Sequence, residues 1–459
     1  MRMPNSKEMS KEQMEIYLDA PLDGFVLVKG PPGTGKTVIA FLRAKTIAKL
    51  GGKASVAMYN QVLSRYTSNV TENNFNSTTL HKWVYHWWRA LSPSGELDGV
   101  DKIFLECPFE EKDEAKALGA RWDRTARKWY VSGEKYRENK IVFQRWDPNP
   151  GRLDLPTLPD DQWQQDWGKI LEVIVSEEKK GNVKKCDVNW GHLIIDEAQD
   201  FSPKMFETLA LITKLLFKSE SEASSPAITI FADENQRLRD TNSTIKDIKE
   251  GLSLLDNREY SLTKNYRNSL QVAKLASKFY TGLRTGVPDL PIRENDKPIL
   301  FEGKNLNDAI EYIYRYAVNH ENEEIGVITQ SEKIRKKIMT RLNKKIEGNT
   351  RLTLQSYSSK DTTYNNSDKM IFDKGGMITV INKQSCKGLE FDAVFLPELQ
   401  STSVVPDDKD QFMMEMYVMI SRARHMLVLM VSNEGESLPA ILSNIPDKKS
   451  GLLEYEYAR

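Results

Sequence analysis

Cysteine and histidine are scarce, at 3 and 5 in 459 residues. Cys107, Cys186 and Cys386 lie far apart, with no C-x-x-C spacing and no histidine pair beside them. That argues against a disulfide framework or a zinc cluster and fits a reducing compartment. An excess of one charge is also lacking: Lys plus Arg and Asp plus Glu stand at 65 each. No global field therefore draws a polyanion, and any basic track has to be local. Long apolar runs are missing too, none approaching the roughly 18 residues of a membrane-spanning helix. The opening MRMPNSKEMSKEQ has no apolar leader segment. The expectation is a soluble, intracellular, cytoplasmic protein with no membrane partner and no solenoid repeat.

What the chain does have is a series of short apolar runs bounded by turn signals. They are FVLV (25–28), SVAMYN (55–60), HLIIDE (192–197), AITIFAD (227–233), EIGVIT (324–329), MITVIN (377–382), DAVFLPE (392–398) and HMLVLMVS (425–432). Near-continuous Val, Ile and Leu runs are what strands covered on both faces look like, and most are followed by a helical pattern. The expected class is α/β, with parallel sheets flanked by helices. At about 150 residues per domain the length suggests about three compact units. We place a first core in 1–84 and 186–285, a second in 286–459, and an accessory region in 85–185 that holds a small inserted α+β domain at about 101–146. Two polar stretches, 219–227 and 356–376, read as surface loops.

Residues 30–37 read GPPGTGKT, directly after an apolar strand and ahead of a helical pattern. Gly30, Gly33, Thr34 and Gly35 form a turn whose backbone N–H groups line a concave anion site. Lys36 would reach the β- and γ-phosphates and the Thr37 hydroxyl would ligate Mg²⁺, so spacing and context both match a P-loop. A second strand, LIIDEAQD, ends in adjacent carboxylates: Asp196 placed to hold Mg²⁺ and Glu197 placed to polarise the attacking water. ATP and Mg²⁺ are the expected cofactors.

Further motifs follow in order: KEQMEIY around Gln13, STTLHKW around His81, FADENQRL around Gln236, LTKNYRNS around Arg267, NKQSCKGLEFDAVFLP around Lys387 and Glu390, and YVMISRAR around Arg422. Over about residues 10–430 this ordered series resembles the superfamily 1 helicases of the UvrD/Rep type. The resemblance implies two RecA-like P-loop cores, with Gln13 reading the adenine edge, Tyr266 stacking on the base and Glu390 bonding the ribose. It implies that Gln236 senses the γ-phosphate and that Arg267 and Arg422 act as arginine fingers. It also implies footholds for single-stranded or forked DNA at Asn60, Thr79, His81 and Trp83, and 3′ to 5′ movement coupled to duplex unwinding; for His81 and Trp83 the alternative is that they pack in the core or on a helix.

The chain departs from that pattern in places. QRLRDTNS stands where relatives carry an aromatic pair, and Gln384 replaces a histidine. The stretch from Ser269 to Met377 leaves little room for the large accessory subdomain of full-length relatives, and the chain ends without a long tail that could hold a nuclease. A compact motor of this kind would need a protein partner for nuclease or recruitment functions, or would act as a nucleic-acid-stimulated sensor or clamp with little unwinding. The segment PFEEKDEAKALGARWDRTARKWYV resembles a small domain of unknown function found in plasmid primases. Its interleaved Trp122, Trp129, Tyr130 and Arg121, Arg124, Arg127, Lys128 suit nucleic-acid contact, and its place where relatives carry a DNA-facing insertion implies a duplex or junction; the alternative is that the tryptophans form its core.

Overall fold

Residues 9–59, 62, 76–91, 102–146, 155–181, 183–218, 220, 224–237, 242–283, 285–361, 363–365, 367–402, 409–433 and 439–458 are described by the structure, a computed structural model. In chain order the strands are β1 (Phe25–Lys29), β2 (Ala54–Met58), β3 (Asn76–Thr79), β4 (Ile103–Leu105), β5 (Arg121–Asp123), β6 (Lys128–Val131), β7 (Thr157–Leu158) and β8 (Asp161–Gln165). They continue as β9 (His192–Ile195), β10 (Ala227–Ala232), β11 (Glu259–Ser261), β12 (Ile299–Gly303), β13 (Ile325–Thr329), β14 (Thr353–Tyr357), β15 (Met377–Asn382), β16 (Phe391–Leu396), β17 (Ala423–Ser432) and β18 (Glu454–Tyr457).

Each apolar run singled out in the sequence overlaps one of these strands. A six-stranded sheet has the order β11-β1-β10-β9-β2-β3 and a seven-stranded sheet the order β14-β15-β13-β16-β17-β12-β18. All pairings within both sheets are parallel. Parallel neighbours need long crossovers, supplied by helices such as Lys36–Lys49 and Pro203–Leu216 in the first lobe and Leu306–Asn319 and Glu332–Ile346 in the second. The protein is thus a mixed α/β molecule with two parallel sheets flanked by helices, in Rossmann-like cores.

Side chains along β1 go alternately to the two faces of the sheet, as strand geometry requires. Leu27 joins one apolar cluster with Ile195, Ile228, Trp83, Trp87, Trp190 and Phe206. Val26 and Val28 join another, with Ile39, Phe41 and Phe231, that runs on into Phe412, Tyr417 and Leu427 of the second lobe. This shared cluster welds the lobes. The first sheet's last strand ends at Ser261. Upstream of the break expected at 285/286, the helix Leu270–Ala276 already packs on the helix Lys409–Ile420 and on β17.

The flanks of the expected accessory region also belong to the first lobe. The aromatic block VYHWWRAL lies on the helix Leu80–Ala90, which buries Trp83, Val84, Trp87 and Trp88, and the helix Trp167–Lys179 buries Trp167, Ile170 and Ile174 against the same cluster. The separate unit is smaller. Its antiparallel sheet, β4-β6-β5, covers a core of its own made by Ile103, Leu105, Ala115, Ala120, Val131, Tyr136, Phe143 and Trp146. Its entrance and exit meet, the Glu106 N–H donating to the Trp146 carbonyl.

Candidate functional site

The loop 30–37 leaves the carboxyl end of β1, between β10 and β11. Gly33 and Gly35 hold φ of +79° and +89°, the left-handed region that side chains resist. A Cβ on Gly33 would collide with Asn265 Oδ1, and one on Gly35 would lie 2.7 Å from Gln13 Nε2. Glycine is therefore demanded by conformation and by close neighbours alike. Gly35 precedes the helix Lys36–Lys49 and supplies no side-chain cap. The helix's first N–H groups are left to an anion, which the helix dipole also favours.

Lys36 is buried, and its ammonium donates to the carbonyls of Gly30 at 2.6 Å and Pro31 at 3.1 Å. Burial lowers its pKa, against the pull of Asp233, Glu197 and Asp196. A buried cation whose hydrogen bonds go to neutral carbonyls suits a site that accepts a phosphate group. Thr37 Oγ1 donates to Asp196 Oδ2 at 2.6 Å. Asp196 is wholly buried, and burial, then the neighbouring Glu197, pushes its carboxyl up to about 6. A hydroxyl and a carboxylate side by side form a hard-oxygen pair of the kind Mg²⁺ takes alongside phosphate oxygens. No cluster of three or more His, Cys, Asp or Glu that could hold a metal by itself occurs among the described residues.

Glu197 sits in the left-handed region at φ 54° directly after Asp196. Burial would raise its pKa, but the charges of Lys387, Lys36 and Arg422 outweigh it and hold the carboxyl below its ordinary value. Gln199 Nε2 fixes one oxygen at 2.6 Å. An oriented, ionised carboxylate of this kind can accept a proton from a water molecule.

The second lobe meets these groups across the seam. Arg422 is buried, and burial brings its pKa down to about 10. Its Nη2 donates to Gln236 Oε1 at 2.8 Å, while Gln236 Nε2 donates to Asp233 Oδ2 at 2.6 Å. Lys387 Nζ stands 2.5 Å from the Asp200 carboxylate and also donates to the Gln236 carbonyl. Arg267 Nε bonds Glu390 Oε2 at 2.9 Å, and Arg424 Nη2 bonds the other oxygen at 2.8 Å. Burial acts to raise Glu390, yet the two guanidinium groups take it down to about 2.

Gln13, Gly33, Gly35, Lys36, Thr37, Glu197, Gln236, Tyr266, Arg267, Glu390 and Arg422 thus line one cleft of about 310 Å³. Gly30 and Thr34 support the loop from beneath, Thr34 Oγ1 donating to the Pro31 carbonyl at 2.9 Å, and Asp196 lies behind Thr37. Tyr266 is 47% exposed, so its ring is open to a ligand. Glu390, expected to bond the ribose, lines the cleft with each oxygen held by an arginine. Arg293 and Arg424 line the cleft as well and were not expected there. Arg424 had a signal in the second arginine of SRAR, whereas Arg293 sits in a polar connection with no pattern.

The residues expected to hold DNA are not brought together in the same way. Thr79 is buried and caps the helix Leu80–Ala90, accepting the Lys82 N–H at 3.3 Å. His81 is exposed, with Nδ1 2.9 Å from Gln165 Nε2. Trp83 is a correction: it is 5% exposed, stacked on Trp87 at 5.5 Å and met edge-on by Trp190 at 6.4 Å. Its faces belong to the core and offer nothing to a base. Asn60 lies outside the described residues. No described helix is long and apolar enough to cross a membrane.

Residues 102–148 match the family model described as Domain of unknown function (DUF5710). A stretch of 31 residues is 64% identical to a DNA primase TraC of Escherichia coli, covering 7% of this chain and 3% of the primase. A second DNA primase TraC from Escherichia coli is 55% identical over 36 residues, 8% of this chain and 2% of that protein. The chain therefore matches a very small part of those relatives' length. Among solved structures, the C-terminal domain of a possible DNA helicase from Lactobacillus plantarum WCFS1 is 18% identical with a TM-score of 0.30, covering 42% of this chain and 99% of that domain.

Proposed function

We propose that this chain is an ATP-dependent, Mg²⁺-requiring motor built on two RecA-like cores, translocating on single-stranded DNA and coupling hydrolysis to 3′ to 5′ unwinding. One observation carries the reading: Lys36, Thr37, Glu197 and Gln236 of the first lobe, Arg422 of the second, and Arg267, which bonds Glu390 of the second, face one cleft. A triphosphate held there would be gripped from both sides, so the relative position of the lobes would depend on nucleotide state. Lys36 and the loop N–H groups would bind the phosphates, Thr37 and Asp196 would hold Mg²⁺, and Tyr266 would stack on the base. Glu197 would take the proton of the attacking water. Arg422, tied to Gln236, and Arg267 would stabilise charge on the transferring phosphoryl. Mg²⁺ would supply charge neutralisation at the phosphate oxygens.

DNA as the track rests on the resemblance of the ordered motifs and on the short matches to DNA primases. A second reading, a DNA-stimulated sensor or clamp that works with a protein partner, is favoured by how the chain is used. Between Ser269 and Met377 the strands β12, β13 and β14 and their helices belong to the second lobe, and no accessory domain occurs among the described residues of that stretch. Strand displacement on duplexes with a 3′ or a 5′ tail, alongside ATP turnover with and without DNA, tests both. Displacement from the 3′ tail alone supports the motor. Stimulated turnover without displacement supports the clamp, and turnover indifferent to any polynucleotide overturns both.

A further inference from the structure

The small domain displays, on one hairpin, side chains that its own fold does not use. Its core is closed by other residues, yet Trp122, on the outer strand β5, is 48% exposed. The indole meets the Trp129 ring of the neighbouring strand edge-on, at 5.4 Å and 63°. An exposed tryptophan on an edge strand is an aggregation liability unless something covers it.

The charges around it are divided. Lys102, Lys116 and Lys128 are engaged by Asp123, Asp113 and Glu106. Arg121, Arg124 and Arg127 are exposed and have no ion-pair partner among the described residues. The turn that carries two of them is built firmly. The Asp123 carboxylate accepts the N–H groups of Thr125 at 2.8 Å and Ala126 at 3.0 Å, and Arg127 takes φ 51°. The turn thus carries two exposed guanidinium groups, Arg124 and Arg127, directly after the strand that bears the half-exposed Trp122, while Arg121, next to Trp122 on β5, goes to the other face of the sheet.

Guanidinium groups select phosphate, and an indole face selects a flat ring. An acidic peptide would use the cations and leave the indole bare, and a duplex hides its base faces. A single-stranded nucleic acid uses both. We propose that the hairpin Arg121–Val131 is a single-stranded nucleic-acid site separate from the cleft, with Trp122 stacking on a base and Arg124 and Arg127 of its turn holding adjacent phosphates. This assignment stands on the hairpin alone and does not require the motor reading.

The test uses the full chain. Labelled oligo-dT, oligo-rU and a blunt duplex are titrated across a salt series against wild type, Trp122→Ala, Trp122→Phe and Arg124→Gln/Arg127→Gln. Halogenated oligo-dT is photo-cross-linked and the adduct mapped by mass spectrometry. We expect an adduct on the peptide holding Trp122 and single-strand affinity about ten-fold weaker in Trp122→Ala, with Trp122→Phe in between. The double arginine variant should flatten the plot of log K against log salt by about 1.4. Basal ATP turnover and the thermal midpoint should not move. The oligo-dT and oligo-rU arms rank DNA against RNA. Absence of an adduct at that peptide, unchanged affinity and salt slope in the variants, or loss confined to the blunt duplex would each overturn the proposal. Failure of the motor reading shows separately, as turnover that DNA does not stimulate.

Discussion

The Lys387 ammonium and the Asp200 carboxylate lie 2.5 Å apart with 1% and none of their side chains exposed, one from each side of the seam. Breaking a buried pair leaves a lone charge in a dry site, which costs about 3–5 kcal/mol. Lys387→Met and Asp200→Asn should each destabilise on that scale. The double variant should lose about 1–3 kcal/mol less than the two added together. Denaturant midpoints for the four proteins of the cycle measure this, and simple additivity would dissolve the link.

Lys36 and Glu197 act at different stages of the proposed chemistry. Lys36→Ala should abolish both nucleotide binding and turnover, since it removes the phosphate grip. Glu197→Gln should keep binding and lower kcat by about 10²- to 10⁴-fold, the usual loss for a general base. Equilibrium binding of labelled ATP beside steady-state turnover separates the two, and an unchanged kcat in Glu197→Gln would refute its role.

Gly33 is constrained twice, by φ +79° and by Asn265. Gly33→Ala should weaken nucleotide binding and cost at least about 1–2 kcal/mol of stability. Adding Asn265→Ala removes the collision and leaves the backbone strain, so recovery should be incomplete. Complete recovery in thermal unfolding would mean that only the collision mattered.

Trp83 is a core residue in this fold. Trp83→Ala should destabilise by about 3–5 kcal/mol, while a surface substitution, His81→Ala, should leave the unfolding midpoint almost unmoved. If Trp83→Ala instead weakened oligonucleotide binding at full stability, its burial would have to be reconsidered.

Glu324 is 2% exposed, with Asp373 and Arg424 among the charged groups that act on it. Burial, then Asp373, holds its carboxyl up at about 8 against the pull of Arg424. The folded protein keeps a proton that the unfolded chain releases near 4.5. Stability should therefore fall as pH rises from 4.5 towards 8 and level off above. Glu324→Gln should raise the thermal midpoint at pH 8 relative to wild type and change it little near pH 4.5; parallel pH profiles would contradict this.

Legibility followed burial. β1, β9 and β10 are covered on both faces and show as apolar runs, whereas β3 (NSTT), β14 (TLQSY) and the three-residue β11 lie at sheet edges or are too short to carry a pattern. In the cleft, Lys36, Asp196 and Glu197 could be derived from spacing and from the strands before them. Arg293 could not, because an arginine in a polar loop is indistinguishable from any solvated charge until the chain folds it against the cleft. For Trp83 the sequence leaves a DNA foothold and a core position both open, and the local spacing decides between them. Trp83 and Trp87 stand four apart, the spacing of a helix's buried stripe, and that signal outweighs proximity to a motif.

The small domain begins and ends at the same place, since Glu106 and Trp146 are hydrogen-bonded to one another. A module whose two ends touch asks no stretch of the host that receives it. Such a unit can be carried by hosts of different size, with its hairpin in the same place on each.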